Sequence, residues 1–252
     1  RFTGKMKNLQ ASVLFFIPLE DNCEIQWLHL KNDGDAPKTF SLFSYVEWCL
    51  WNADDDMKNF QRNLSIGEVE IEDSVIYHKT EYRERRDHFA FYGVNAPIDG
   101  FDTSRDAFLG AYRGNDHPQV VEKGACSNSV ASGWSPIACH QIDLTLAPGQ
   151  EKSLIFVLGY AENPLAEKWS APGIINKKPA KEILAKYQTD AQVEQALSAL
   201  AAYWEDLLSK YHVTSSNEKV DRMVNIWNQY QCMVTFNMSR SASYYESGIG
   251  RG

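Results

Sequence analysis

An antiparallel β-sandwich followed by helices is the fold class this sequence predicts, and three observations predict it. Through the first two thirds of the 252 residues, apolar runs recur at roughly eight- to twelve-residue intervals with turn residues between them. No helical pattern alternates with those runs, which argues against a parallel α/β sheet. Past Asn163 the apolar spacing changes to that of helices, so helices close the chain.

Ala11 to Ile17 (ASVLFFI) is a short apolar strand ended by Pro18, and Cys23 to Leu30 (CEIQWLHL) is a second, alternating Ile25 and Trp27 with polar neighbours. LEDN between them and NDGDAP after them carry turn residues, which bond their own backbone or accept positive φ. Thr39 to Leu50 reads as one long aromatic strand, and Gly67 to Glu72 (GEVEIE) alternates Val69 and Ile71 with glutamates on the opposite face. Gln141 leads into IDLTLAPGQ, where Ile142, Leu144 and Leu146 share a face ahead of a Pro148-Gly149 turn. Ser153 to Tyr160 (SLIFVLGY) reads as a buried central strand. Pro164, Pro172 and Pro179 then punctuate the crossing to the helices.

Ala180 to Tyr187 forms a short helix. Thr189 and Gln192 make a capping box, in which each side chain satisfies the other residue's amide. Val193, Ala196, Leu197, Leu200, Trp204, Leu207, Leu208 and Tyr211 follow as an apolar stripe of about six helical turns. Ser215 with Glu218 repeats the capping signal and opens a last helix. There Val220, Met223, Val224, Trp227 and Val234 mark one face, expected to pack into a core.

After Phe236 the helical pattern gives way to a polar, glycine-punctuated loop. It holds Arg240 and Arg251, with Tyr244, Tyr245 and Glu246 between them and glycines at 248, 250 and 252. Guanidinium forks suit phosphate, carboxylate or sugar hydroxyls, and glycines let a backbone approach a ligand. A helix end closed by glycine, with arginines paired to surface acids, would produce the same pattern. GIGRG lacks the GxGxxG spacing and a preceding strand, which disfavours a dinucleotide site.

Other clusters are weaker. Three aspartates in Ala53 to Arg62 (ADDDMKNFQR) fit no EF-hand spacing and read as a solvated turn. EYRERRD (Glu81 to Asp87) reads as a self-compensating surface strand. Cys139 beside His140 invites a nucleophile reading, but neighbours on a strand point to opposite faces. Cys23, Cys49, Cys126, Cys139 and Cys232 are odd in number with no CxxC pair, which predicts free thiols in a reducing compartment.

A formal charge of −8 and a pI near 5.3 disfavour nucleic acid and anionic membranes as partners, whereas a neutral sugar fits. A hydrophobic content of 44%, with 12% aromatic, is enough for a core. No apolar run approaches the roughly 20 residues of a membrane span, and RFTGKMKN lacks the apolar centre of a signal peptide.

The strings NQYQCMVTFNMSRSASYYESGIGRG, LFSYVEWCLWNADDDMKNFQRNLSIGEVE, IYHKTEYRERRDHFAFYGVN, FDTSRDAFLGAY and SNSVASGW together resemble the cellobiose phosphorylases, inverting glycoside phosphorylases of glycoside hydrolase family 94. The resemblance covers nearly the whole chain. It implies a galactose mutarotase-like supersandwich over 1–162, N-terminally incomplete, a linker with helices over 163–214, and the truncated start of an (α/α)6 catalytic barrel over 215–252. It implies that Arg240 binds phosphate, that Arg251 binds the sugar whose anomeric carbon is attacked, and that Gln61 and Arg62 reach the sugar-leaving subsite of the neighbouring subunit in a homodimer.

No metal and no cofactor are expected, inorganic phosphate being a co-substrate, and the free thiols fit a cytoplasmic location. The catalytic aspartate belongs to a segment beyond this chain, so the chain alone is expected to be inactive and Glu246 to orient an arginine. Phosphate attacks the anomeric carbon while the acid protonates the glycosidic oxygen, so no second carboxylate is needed as base. Three alternatives stay open: a laminaribiose, cellodextrin or chitobiose enzyme, a free-standing carbohydrate-binding module, or a dimerisation module.

Overall fold

The computed structural model describes residues 1–48, 67–80, 87–131 and 135–239. By contacts it divides into two compact units, Arg1–Ala196 and Leu197–Gly252.

The first unit is an antiparallel β-sandwich. Its larger sheet runs in the order β1 (Phe2–Met6), β2 (Leu9–Phe16), β3 (Cys23–Asn32), β11 (Glu151–Glu162), β8 (His88–Val94), β7 (Val75–Thr80) and β6 (Gly67–Glu72). The smaller sheet sets β4 (Lys38–Phe43) and β5 (Val46–Glu47) against β10 (Pro136–Leu146), which also pairs with β9 (Gly100–Ser104). Between the sheets lie Ile76, Tyr92, Ala138, Ile142, Leu154 and Phe156, all buried. Alternate residues of β10 meet a second cluster on its other side. Ile137 and Cys139 pack with Phe108 and Leu109 of α1 (Arg105–Leu109) and Val120 of α2 (Gln119–Lys123). Burial on both faces is why residues 137–142 of β10 show no polar alternation.

The predicted turns carry the expected chemistry. Asn32 is fully buried; its amide bonds the carbonyls of Ala36 and Leu146, and its Oδ1 accepts from Gly34 N at 3.0 Å. At Pro148-Gly149 the Gln150 amide returns to the Ala147 carbonyl at 3.0 Å. Gly149 takes φ 74°, the left-handed value this turn requires. The β1–β2 hairpin turns through Lys7 and Asn8, both at positive φ, which no sequence signal announced.

The long strand expected over Thr39 to Leu50 is broken. β4 ends at Phe43 and β5 begins at Val46, because Ser44 turns its hydroxyl onto β10, accepting from His140 N at 2.9 Å and lying 3.0 Å from His140 Nδ1. The glutamates of β6 are also not simply solvated. Glu70 accepts from the Ile175 amide at 3.0 Å and pairs with Lys79 and Lys177, each at 2.9 Å; Glu72 pairs with Lys177 and Lys181. Burial opposes the Glu70 charge, yet those donors hold its carboxyl below the usual range. The network ties β6 and β7 to the short hairpin β12 (Trp169–Ala171) and β13 (Ile174–Ile175) and to α3 (Lys178–Ala185).

The capping box forms as predicted at the start of α4 (Asp190–Ser209). Thr189 N and Oγ1 donate to Gln192 Oε1, each at 3.0 Å, and Gln192 N donates to Thr189 Oγ1 at 3.3 Å. The second capping signal is displaced. Asn217, not Ser215, caps α5 (Glu218–Arg222), its Oδ1 accepting from Lys219 N, while Ser215 bonds Asn217 and Asp221. A π-helical turn, Met223–Asn228, then leads into α6 (Gln229–Ser239).

The face expected in a core is open to solvent. Val220, Met223 and Trp227 are each about half exposed, at 46%, 53% and 55%. The extra residue of the π turn shifts the apolar positions around the axis, and among the described residues of this unit little covers them.

Candidate functional site

Arg240 and Arg251 lie outside the described residues, as does Glu246; α6 (Gln229–Ser239) is the last described element before them. The connection between α4 and α5 is stiffened by one asparagine. Asn225 Oδ1 accepts from Val213 N and its Nδ2 donates to Val213 O, both at 2.8 Å. Beside it Trp204, Leu208, Ile226, Trp227 and Tyr230 line an open apolar groove.

Gln61 and Arg62 also lie outside the described residues, as do the three aspartates and residues 81–86 of the charged cluster. In the sequence Gln61 and Arg62 fall between β5 of the smaller sheet and β6 of the larger sheet.

Among the described residues of the β unit, a densely bonded polar centre surrounds Asp102, which no motif in the sequence announces. Asp102 of β9 is fully buried and accepts four hydrogen bonds. Its Oδ1 receives Ser127 Oγ at 2.6 Å, Ser129 Oγ at 2.6 Å and Ser129 N at 2.9 Å; its Oδ2 receives Ser127 N at 3.0 Å. Next to it Thr103 Oγ1 donates to Ser129 O and accepts from Ala131 N. All four donors come from Ser127 and Ser129, so Asp102 is an organiser of the 125–131 loop. The signal was present as an aspartate inside a strand and a serine-rich loop about 25 residues on, but nothing local joined the two.

His140 and Cys139 are held apart. Cys139 Sγ faces the cluster under α1 and α2, whereas the His140 ring lies between the sheets, 5.0 Å from Tyr92 and 6.2 Å from Phe156 by ring centroids. Burial pulls the His140 imidazole down to a pKa of about 3. His78 on β7, stacked on Trp48, is pulled to about 4 by the same desolvation. Both rings are neutral parts of the core. The free thiols are as expected among the described residues: Cys23, Cys126, Cys139 and Cys232 are unbridged.

One cluster has metal-ligand chemistry. Asp87, His88 and Glu162 come within 4.8 Å of one another where β8 and β11 pair, with His88 Nε2 3.4 Å from Asp87 and 3.6 Å from Glu162. A ligating imidazole donates its other N–H to an acceptor, and His88 Nδ1 is buried with no partner among the described residues. The group reads as a partly exposed polar cluster. No helix among the described residues is long and apolar enough to cross a membrane.

Comparison with known proteins joins the two units. Residues 1–190 match the family model described as glycosyl hydrolase 94, supersandwich domain, and residues 203–252 match the glycosyl hydrolase 94 superfamily, catalytic domain. N,N'-diacetylchitobiose phosphorylases are among the similar curated proteins. The one from Vibrio furnissii is 28% identical over 98% of this chain and 29% of its own length, and the one from Vibrio proteolyticus is 29% identical over the same shares. Solabiose phosphorylase of Paenibacillus borealis is 24% identical over 96% of this chain and 30% of its own length. The chain therefore spans under a third of the length of these relatives.

Proposed function

The chain belongs to the glycosyl hydrolase 94 family, and from that membership we propose that it is part of a phosphorylase that cleaves a β-linked disaccharide with inorganic phosphate, releasing an α-sugar 1-phosphate. The observation that carries this reading is the succession of two family domains along one chain, a supersandwich and then the first residues of the catalytic domain. Cellobiose is the substrate implied by the sequence resemblance, giving α-D-glucose 1-phosphate and glucose. The second reading is N,N'-diacetylchitobiose, favoured by relatives of that name at 28% and 29% identity.

In this proposal the barrel supplies a carboxylic acid that protonates the glycosidic oxygen. Phosphate approaches the opposite face of the anomeric carbon, giving inversion in one displacement. Arg240 holds the phosphate, and Arg251 binds hydroxyls of the sugar being transferred. Gln61 and Arg62 contact the leaving sugar in the partner subunit of a homodimer. No cofactor takes part. The exposed apolar residues of α4 to α6 fit the wall of a larger helical domain.

The test is Arg240→Lys in the full-length enzyme. Lysine keeps the charge but removes the planar fork, so the phosphate KM rises at least about tenfold, or about 1.4 kcal/mol, with a smaller effect on the disaccharide KM. An unchanged phosphate dependence removes Arg240 from the phosphate site.

A further inference from the structure

We propose that Cys126 and Cys139 are a reversible oxidation site, closing to a disulfide in the presence of a hydroperoxide. Their sulfurs stand 3.8 Å apart, in contact as two thiols. Closure to a bond of about 2.05 Å needs a movement of under 2 Å, which side-chain rotation on a loop residue can supply.

Three anchors hold the approach. Cys139 pairs in register with Asp102 across β10 and β9. Asp102 binds both the amide and the hydroxyl of Ser127, the residue after Cys126. Gln141, two residues from Cys139 on the same strand, accepts from the Cys126 amide at 2.7 Å. The loop is thus clamped on either side of Cys126 to the strands that carry or face Cys139. The β10–β9 ladder also shifts register between Pro136 and Cys139, so the backbone there is irregular.

The two thiols have different parts. Cys126 is partly exposed, whereas Cys139 is fully buried. Contact with Cys126 and burial both push the Cys139 thiol far above its ordinary range. Cys126 is therefore oxidised first. It attacks the peroxide, takes one oxygen to become a sulfenic acid, and the peroxide leaves as an alcohol or water. Cys139 then attacks that sulfur, the S–S bond forms, and the hydroxyl leaves with the Cys139 proton as water. Overall, two thiols lose two hydrogens and the peroxide is reduced by two electrons.

Neither of the other described thiols fits this chemistry. Cys23 is buried, with its thiol pushed up to about 12, and Cys232 is exposed on the other unit. The bond would close the segment 126–139, which includes the Ser127–Ala131 loop held by Asp102 and Thr103.

The experiment treats the protein carrying Cys232→Ser with hydrogen peroxide, blocks free thiols under denaturing conditions, and maps the peptides. Expected is one intramolecular 126–139 crosslink, loss of two hydrogens, and return of both thiols on adding a dithiol reductant. In Cys139→Ser, Cys126 should instead accumulate as a sulfenic acid trapped by dimedone. In Cys126→Ser, which alters only a loop residue, Cys139 should stay reduced at the same peroxide dose. Oxidation of Cys126 while Cys139 remains alkylatable in the parent protein overturns the proposal, and so does recovery of both thiols unchanged.

Discussion

The β unit is expected to lose on the order of 4 kcal/mol of stability between pH 6.5 and pH 4.5, through two buried histidines. Unfolded imidazoles take up a proton below about 6.5, whereas folded His78 and His140 stay neutral down to about 4 and about 3. Across that window the unfolded chain binds more protons, so stability rises with pH by about 1.4 kcal/mol per unit for each ring. The buried and paired carboxylates act in the same direction but at lower pH. Glu70, Glu72 and Asp143 have lowered folded values, so their contribution is complete above the ordinary carboxylate range and is lost as pH falls through that range toward their folded values. The interval above about pH 5 therefore reports mainly the rings. Against a total of roughly 5–15 kcal/mol for a domain, this loss is a sizeable fraction. Urea unfolding at pH 7, 6 and 5 measures it, and His78→Asn or His140→Gln halves the slope whatever its effect on absolute stability. A wild-type slope near zero between pH 6.5 and 5 contradicts the assignment.

Asp102→Ala costs about 4 kcal/mol, more than any single surface ion pair in the molecule. Four donors lose one acceptor at once, two of them the amides of Ser127 and Ser129, and each bond to a charged group contributes about 1.5–3 kcal/mol without adding fully. Asp102→Asn is milder, about 2 kcal/mol, because its carbonyl keeps two acceptor sites while its amide confronts a donor. Ser127→Ala, which removes one bond from the edge of the network, costs about 1 kcal/mol. Denaturant midpoints establish the order, and limited proteolysis within 125–131 should quicken in the same order. Equal effects for all three variants would mean that Asp102 does not organise the loop.

What the sequence showed depended on distance along the chain. Thr189 and Gln192 sit three residues apart, so the capping box could be read and forms. Ile142, Leu144 and Leu146 alternate on one half-covered stretch of β10, but the same strand upstream is buried on both faces and carries no period. The Ser215 signal failed because Asn217, two residues nearer the helix, offers the better cap. Asp102 with its serines, Ser44 with His140, and Cys126 with Cys139 are brought together by sheet pairing, which no local pattern encodes. Of the candidate site, Arg240, Arg251, Gln61 and Arg62 stood out by loop chemistry or resemblance. Their geometry lies outside the described residues.

Incubating the full-length protein with a β-linked disaccharide, with and without inorganic phosphate, tests the central claim most directly. Cellobiose and N,N'-diacetylchitobiose are the two substrates to set side by side. The proposed phosphorylase function predicts cleavage that requires phosphate and yields an α-sugar 1-phosphate in equal amount to the released sugar. Cleavage at the same rate without phosphate, or a sugar phosphate of retained β configuration, would contradict it.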